Sequence, residues 1–182
     1  MTKLLFIPGS LRAASSSRAT ARTLAERMEG EADIYFADVG ALPHYNADIT
    51  DDPQVAAFVD AVRDADGIVF VTPEYNYSIP GVLKNAIDWA SRPAYASVFK
   101  DKPCFIVTTS GGALGGVRAQ AHLKYMLGGM LARIFPCKEI IIPFANDKVA
   151  DRRLTDETIL AFAGENLSAF VAAIRSGGAW RR

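Results

Sequence analysis

Nine consecutive residues, Gly9-Ser10-Leu11-Arg12-Ala13-Ala14-Ser15-Ser16-Ser17, combine a glycine, an arginine and four serines just after a short apolar run. A loop of this kind leading into a helix can grip an anion. The first amides of the helix have no intrahelical acceptor, and the helix dipole favours negative charge there. Hydroxyls add donors, and a guanidinium adds a charged fork. Ser10, Arg12, Ser15, Ser16 and Ser17 are therefore candidate ligand-binding residues. Ordinary helix capping beside a solvated arginine would account for any one of these serines. The loop lacks both GxGxxG and GxxxxGK[ST], so it carries neither the dinucleotide fingerprint nor a triphosphate loop. Hydroxyls in place of glycines suit a terminal phosphate monoester held end-on.

Two further segments stand out. Thr72-Pro73-Glu74-Tyr75-Asn76-Tyr77-Ser78-Ile79-Pro80-Gly81 places flat rings and an amide between two prolines. Tyr75 and Tyr77 offer flat surfaces and Asn76 both donors and an acceptor, so the loop could hold the plane and edge of a heteroaromatic ring, or the segment could be a turn packing on its own sheet. Thr109-Ser110-Gly111-Gly112-Ala113-Leu114-Gly115-Gly116 allows close backbone approach to a ligand. The N–H groups of its four glycines could point at ring carbonyl oxygens, the alternative being a merely flexible loop.

The elements that must position these loops follow from the apolar pattern. Strands are expected at Leu4–Pro8, Asp33–Ala37, Gly67–Thr72, Pro103–Thr109 and Lys138–Ile142. Helices are expected from Ser16 to about Glu29, Pro53 to Ala65, Pro80 to about Ser91, Gly116 to about Arg133, and Leu154 to Ile174 before Gly177-Gly178. Apolar strands alternating with helices imply a parallel sheet covered on both faces. The expected architecture is α/β: a flavodoxin-like three-layer sandwich with a five-stranded parallel sheet in order 2-1-3-4-5, one domain over residues 1–182. Ligands in such sheets bind beyond the carboxyl ends of the strands near the switch in strand order, where the loops after strands 1, 3 and 4 meet. A phosphate grip, an aromatic clamp and a glycine cradle together suit a flavin mononucleotide, FMN.

The residues also carry a resemblance. Gly9-Ser10-Leu11-Arg12 with Ser15, the run from Pro73 to Trp89 (PEYNYSIPGVLKNAIDW), and the glycine loop ending in Arg118 and Gln120 resemble the NADPH-dependent FMN reductase family, nearest its chromate and quinone reductase branch. The similarity extends to about residue 145. It implies bound FMN, with phosphate contacts from Ser10, Arg12, Ser15 and the amides of Ser16 and Ser17. Pro73, Glu74, Tyr75 and Asn76 would line the ribityl chain and ring, and Ser110, Gly111 and Gly112 would complete the ring site. Ser17 departs from the asparagine common in relatives, which matters little if only its amide is used. The resemblance further implies a homodimer or homotetramer, and favours a dimer contact for Lys84, Asp88 and Trp89. NADPH or NADH would stack on the flavin, deliver hydride and leave. A small-molecule acceptor (quinone, azo dye, chromate or free flavin) would then enter in a ping-pong cycle. The flavin carries the chemistry, so no catalytic protein residue is nominated and Glu74 is not assigned as a base. The rival reading is an FMN-binding electron carrier of flavodoxin type. Such carriers are usually acidic for partner docking, whereas Lys plus Arg and Asp plus Glu stand here at 20 each.

That charge balance also argues against a nucleic-acid partner or a polybasic membrane patch. No signal-peptide pattern or membrane-length apolar run is read, and Cys104 and Cys137 suit small core residues in a reducing cytoplasm. His44 and His122 lack metal-spaced partners, so no metal is expected. Trp180-Arg181-Arg182 is expected to be a mobile tail.

Overall fold

A computed structural model describes residues 1–177. Strands β1 (Thr2–Pro8), β2 (Ala32–Phe36), β3 (Gly67–Pro73) and β4 (Pro103–Thr109) run parallel in the order β2-β1-β3-β4. Every residue of β3 is buried, as befits a Val/Ile/Phe-rich strand with helices on both faces. Helices α1 (Ser16–Arg27), α2 (Pro53–Asp64), α3 (Gly81–Ala90), α4 (Val117–Gly129) and α5 (Glu157–Arg175) supply those faces. Leu24 of α1 and Leu167 and Phe170 of α5 pack with Phe6, Val69, Val71 and Phe105 on one side. Phe58 and Val62 of α2, Leu83 and Ile87 of α3, and Leu123 and Leu127 of α4 pack with Leu5, Ile7, Ile68 and Phe70 on the other. The expected flavodoxin-like order and layering are present.

The fifth strand differs from the expectation of Lys138–Ile142. It is split into β5 (Arg133–Ile134), which pairs with Pro103 and Cys104, and β6 (Ile140–Ile142), which pairs with Val107 to Thr109. The Phe135 amide still donates to the Cys104 carbonyl at 2.8 Å. Pro136 follows with no N–H to offer, and the chain leaves the ladder until Ile140. Helix α4 ends at Gly129 rather than near Arg133, because Leu131 turns left-handed (φ 62°) and redirects the chain into β5.

Leu154 does not open the last helix. It ends a two-stranded hairpin, β7 (Val149–Ala150) and β8 (Arg153–Leu154), whose turn residues Asp151 and Arg152 have φ of 47° and 61°. Helix α5 starts three residues later, at Glu157, capped by Asp156, whose carboxylate accepts from the Ile159 amide at 3.1 Å. By length and composition α5 could cross a membrane, contrary to the expectation that no such segment exists. Its apolar stripe of Leu160, Ala163, Leu167, Phe170 and Val171 is instead buried against the sheet. Gly177, at φ 81°, follows the helix end; Gly178 and the tail Trp180-Arg181-Arg182 lie outside the described residues.

Asp156 also pairs with Lys148 at 2.9 Å. The Lys148 hydrogen bond, then the helix amides, hold its carboxyl below the usual range. A depressed folded pKa contributes stability that is present above the unfolded value and lost as pH falls through the folded one. Asp156→Asn should therefore lower the urea midpoint at pH 7. The gap to the parent should shrink below about pH 4, the unfolded carboxylate range. A gap independent of pH would contradict this role.

Candidate functional site

The loop after β1 begins with a contact only glycine can make. The Gly9 amide donates to the Val71 carbonyl at 2.9 Å, and a Cβ at Gly9 would lie 2.1 Å from the Thr72 hydroxyl oxygen. The loop is thus pressed onto the end of β3. Ser10 is buried; its Oγ accepts from the Arg12 amide at 3.3 Å and lies 3.3 Å from the Tyr75 hydroxyl.

Ser15 caps α1, accepting from the Arg18 amide at 3.4 Å, and its Oγ lies 2.9 Å from the Ser17 Oγ. Ser17 is fully buried, with its Oγ paired to Ser15. The Ser16 hydroxyl lies 3.5 Å from Thr109 Oγ1, tying α1 to the end of β4. Among the described residues the amides of Ser16 and Ser17 have no acceptor, and the exposed Arg12 guanidinium has no partner. The first turn of α1 holds no acidic residue. Unpaired amides, a free guanidinium and a positive helix end fit a phosphate monoester.

The loop after β3 is a tight hairpin, which its prolines did not foretell. Tyr75 and Ser78 exchange backbone bonds of 2.9 and 3.0 Å, and the two turn residues, Asn76 and Tyr77, have φ of 47° and 67°. Asparagine tolerates that conformation; for tyrosine it is strained. The turn leaves Tyr77 exposed and Tyr75 half-exposed beside Ser10.

Glu74 is engaged by β4 and α4. Its backbone amide donates to the Thr109 carbonyl at 3.1 Å, and its carboxylate accepts from the amides of Arg118 and Ala119 at 3.0 and 3.3 Å. Gly116, the cap residue of α4, sits at φ 87° and has no side chain to offer. Glu74 therefore caps α4 from a different loop. Two more contacts bind the hairpin to this helix. The Arg118 guanidinium lies over the Tyr77 ring at 4.5 Å, and His122 Nδ1 lies 3.0 Å from Ser78 Oγ.

In the loop after β4, the Gly112 amide donates to Ser110 Oγ at 3.1 Å. The Phe144 and Ala145 amides donate to the carbonyls of Gly112 and Ser110. A Cβ at Gly111 would meet Asn146 Nδ2 at 2.8 Å. The Gly111 amide has no acceptor among the described residues and can donate to a ligand. Asn146 and Arg152 are additions that no motif announced. With Arg12, Ser15 and Ser16 they line a cavity of about 330 Å³ at the phosphate loop. The only signal for Asn146 was its place just past a strand's carboxyl end.

Other expected roles shift. Trp89 is buried, donates from Nε1 to the Pro43 carbonyl at 2.8 Å and meets Tyr45 edge-on, so it packs the β2–α2 loop and is not an exposed dimer contact. Lys84 and Asp88 form an exposed ion pair on α3. Burial pushes the thiols of Cys104 and Cys137 up, which keeps both from acting as thiolates near neutral pH.

A doubly wound sheet with unpaired amides and Arg12 after β1, an aromatic hairpin after β3 and a glycine-rich loop after β4 is a flavodoxin-like fold with a site suited to a flavin. Comparison with known proteins narrows the class. The model of the NADPH-dependent FMN reductase family matches residues 2–147, and the chain belongs to that family. It is 48% identical over 124 residues to a 2-hydroxy-1,4-benzoquinone reductase of Burkholderia sp, covering 67% of this chain and 68% of the relative. It is 37% identical to an NAD(P)H-dependent FMN reductase of Pseudomonas aeruginosa over 95% of both chains. Among solved structures, the flavoenzyme NAD(P)H:acceptor oxidoreductase FerB of Paracoccus denitrificans superimposes with a TM-score of 0.88 at 33% identity, covering 97% of this chain and 98% of FerB. The protein is thus an oxidoreductase with FMN as cofactor and NAD(P)H as co-substrate, and the carrier alternative is not favoured.

Removing the Glu74 carboxylate should loosen hairpin and helix together. Glu74→Ala should lower stability by about 1 kcal/mol, the usual value of a helix cap, and Glu74→Gln, which keeps an acceptor for the amides, should recover most of it. Equal losses in thermal denaturation would contradict the capping role.

Proposed function

We propose that the chain is a quinone reductase that passes hydride from NAD(P)H through FMN to a quinone in a ping-pong cycle. The observation carrying this reading is the convergence of three features at one sheet edge: the unpaired amides of Ser16 and Ser17 with Arg12, the Tyr75 hydroxyl on Ser10, and the free Gly111 amide. The quinone reductase names of relatives support the acceptor class. Azo dyes, chromate and free flavin are secondary acceptors for the same open face.

Arg12 and the amides of Ser16 and Ser17 hold the phosphate; the hydroxyls of Ser10 and Ser15 shape that pocket. Pro73, Tyr75 and Asn76 form the wall along the ribityl chain and ring, with Glu74 fixing that wall to α4. Ser110, Gly111 and Gly112 would form the opposite cradle, and the Gly111 amide would be a donor to the flavin there. When bound, FMN supplies the hydride-accepting and hydride-donating chemistry. No residue need act as acid or base, and the Glu74 carboxylate is already engaged by two amides.

The cytoplasm is the proposed compartment, and all 182 residues are taken as one domain. The proposed assembly is a homodimer or homotetramer. The exposed Tyr125 beside Met126, at a concavity shared with Ser78 and Lys84, offers an apolar face for a second copy.

Steady-state rates at several fixed quinone concentrations should give parallel double-reciprocal lines against NAD(P)H, and intersecting lines would contradict the ping-pong cycle. Arg12→Ala should raise the FMN dissociation constant at least ~10-fold, in keeping with loss of a charge-assisted phosphate contact. Unchanged affinity in a fluorescence titration would remove Arg12 from the phosphate site.

A further inference from the structure

One wall of the phosphate cavity comes from a part of the chain to which the roles above give no task. The β7–β8 hairpin turns at Asp151 and Arg152, and both residues line the cavity of about 330 Å³ with Arg12, Ser15 and Ser16. The match to the family model ends at residue 147, so this hairpin lies beyond the matched residues.

The Arg152 guanidinium has no protein partner. It makes no hydrogen bond, ion pair or ring contact among the described residues, and the same holds for Arg12. Only the Arg152 carbonyl is engaged, accepting from the Arg22 guanidinium at 3.5 Å. The next residue shows the contrast: Arg153 pairs with Glu26 of α1 at 3.0 Å. Two unpartnered guanidiniums, from elements far apart in sequence, therefore line one cavity at the free amides of Ser16 and Ser17.

The hairpin holds that arginine in place. The Leu154 amide donates to the buried Thr23 hydroxyl of α1 at 3.0 Å, and the Thr155 amide donates to the Lys148 carbonyl at 2.8 Å, closing the base of the hairpin. The turn is thus anchored on the helix whose N-terminus faces the phosphate. Ala150 pairs with Arg153, which leaves a two-residue turn with both residues left-handed, at φ 47° and 61°. Such turns favour Asn or Asp first and glycine second. Asp151 suits the first place, whereas Arg152 stands where a Cβ is strained. Strain of this kind gathers where a side chain serves a ligand.

One charge opposes an anion here. Asp151 lines the same cavity, and its carboxylate has no partner among the described residues. Against it stand two guanidiniums, the free amides and the positive end of α1, whose first turn carries no acid. The balance favours an anion with several acceptor oxygens, which a phosphate monoester supplies. We infer that Arg152 is a second charged ligand of the FMN phosphate, delivered by the β7–β8 hairpin, and that Asp151 beside it weakens the grip. The inference deepens the FMN site proposed above and rests on it.

The test titrates flavin-stripped full-length protein with FMN and with riboflavin, reading flavin fluorescence. Arg152→Gln should raise the Kd for FMN ~10-fold and leave the Kd for riboflavin, which has no phosphate, within ~2-fold. Asp151→Asn should act in the opposite direction, lowering the Kd for FMN ~3-fold, the size expected of an exposed charge. Arg152→Gly removes the side chain and relieves the turn, so it should weaken FMN as Arg152→Gln does while raising Tm. Unchanged FMN affinity in Arg152→Gln overturns the inference, and a loss in Arg12→Ala in the same titrations would leave the phosphate site itself standing. Equal weakening of FMN and riboflavin also overturns it, because the side chain would then act on the fold and not on the phosphate. A parent that binds FMN no more tightly than riboflavin overturns the inference together with the phosphate site. An Arg152-dependent preference for FMN in a protein that oxidises no nicotinamide supports the inference and refutes the reductase reading instead.

Discussion

Burial of the whole of β3 constrains everything above it. A strand with apolar side chains on both faces must be covered by helices on both sides, so its neighbours β1 and β4 run parallel to it and all three end at one edge. The loops that follow them are forced together whatever their sequences. Gly9 turns this proximity into contact by letting the first loop lie against Thr72 with no side chain between. The Ser16 hydroxyl then meets Thr109, and the Ser10 hydroxyl meets Tyr75. The site is the consequence of close packing at the switch in strand order.

Helix α4 contributes rigidity at that edge. Its own cap residue is a left-handed glycine, and the missing acceptor comes from Glu74 on the neighbouring loop. The strained hairpin at Asn76 and Tyr77 is held by Glu74, by Arg118 over Tyr77 and by His122 on Ser78. Left-handed backbone at a tyrosine costs free energy and persists where surrounding contacts determine it. The wall proposed for the flavin ring is fixed before any ligand arrives, and a preformed wall lowers the ordering cost of binding.

Much of this was legible in the sequence because the signals are local. Apolar runs of strand length, the serines ahead of α1 and the glycines after β4 each report on their own neighbourhood. What escaped depends on distant partners. The split of the fifth strand needs Pro136 to be set against the ladder on β4. The capping role of Glu74 needs α4, more than forty residues away, to be in place. Asn146 and Arg152 reach the phosphate loop only because β6 and the β7–β8 hairpin return the chain there. Trp89, whose motif suggested an outward contact, is buried by the loop around Pro43, whose path has no sequence signature.

Within the NADPH-dependent FMN reductase family, the central claim for this chain is that the amide-rich start of α1 and Arg12 recognise the phosphate of the flavin. The most direct test compares FMN with riboflavin, which lacks only that phosphate, in calorimetric titrations of flavin-stripped protein. The account predicts that FMN binds at least ~100-fold more tightly, since charge-assisted phosphate contacts to several donors are lost with riboflavin. Equal affinities would show that the loop after β1 does not hold the phosphate and would contradict the account.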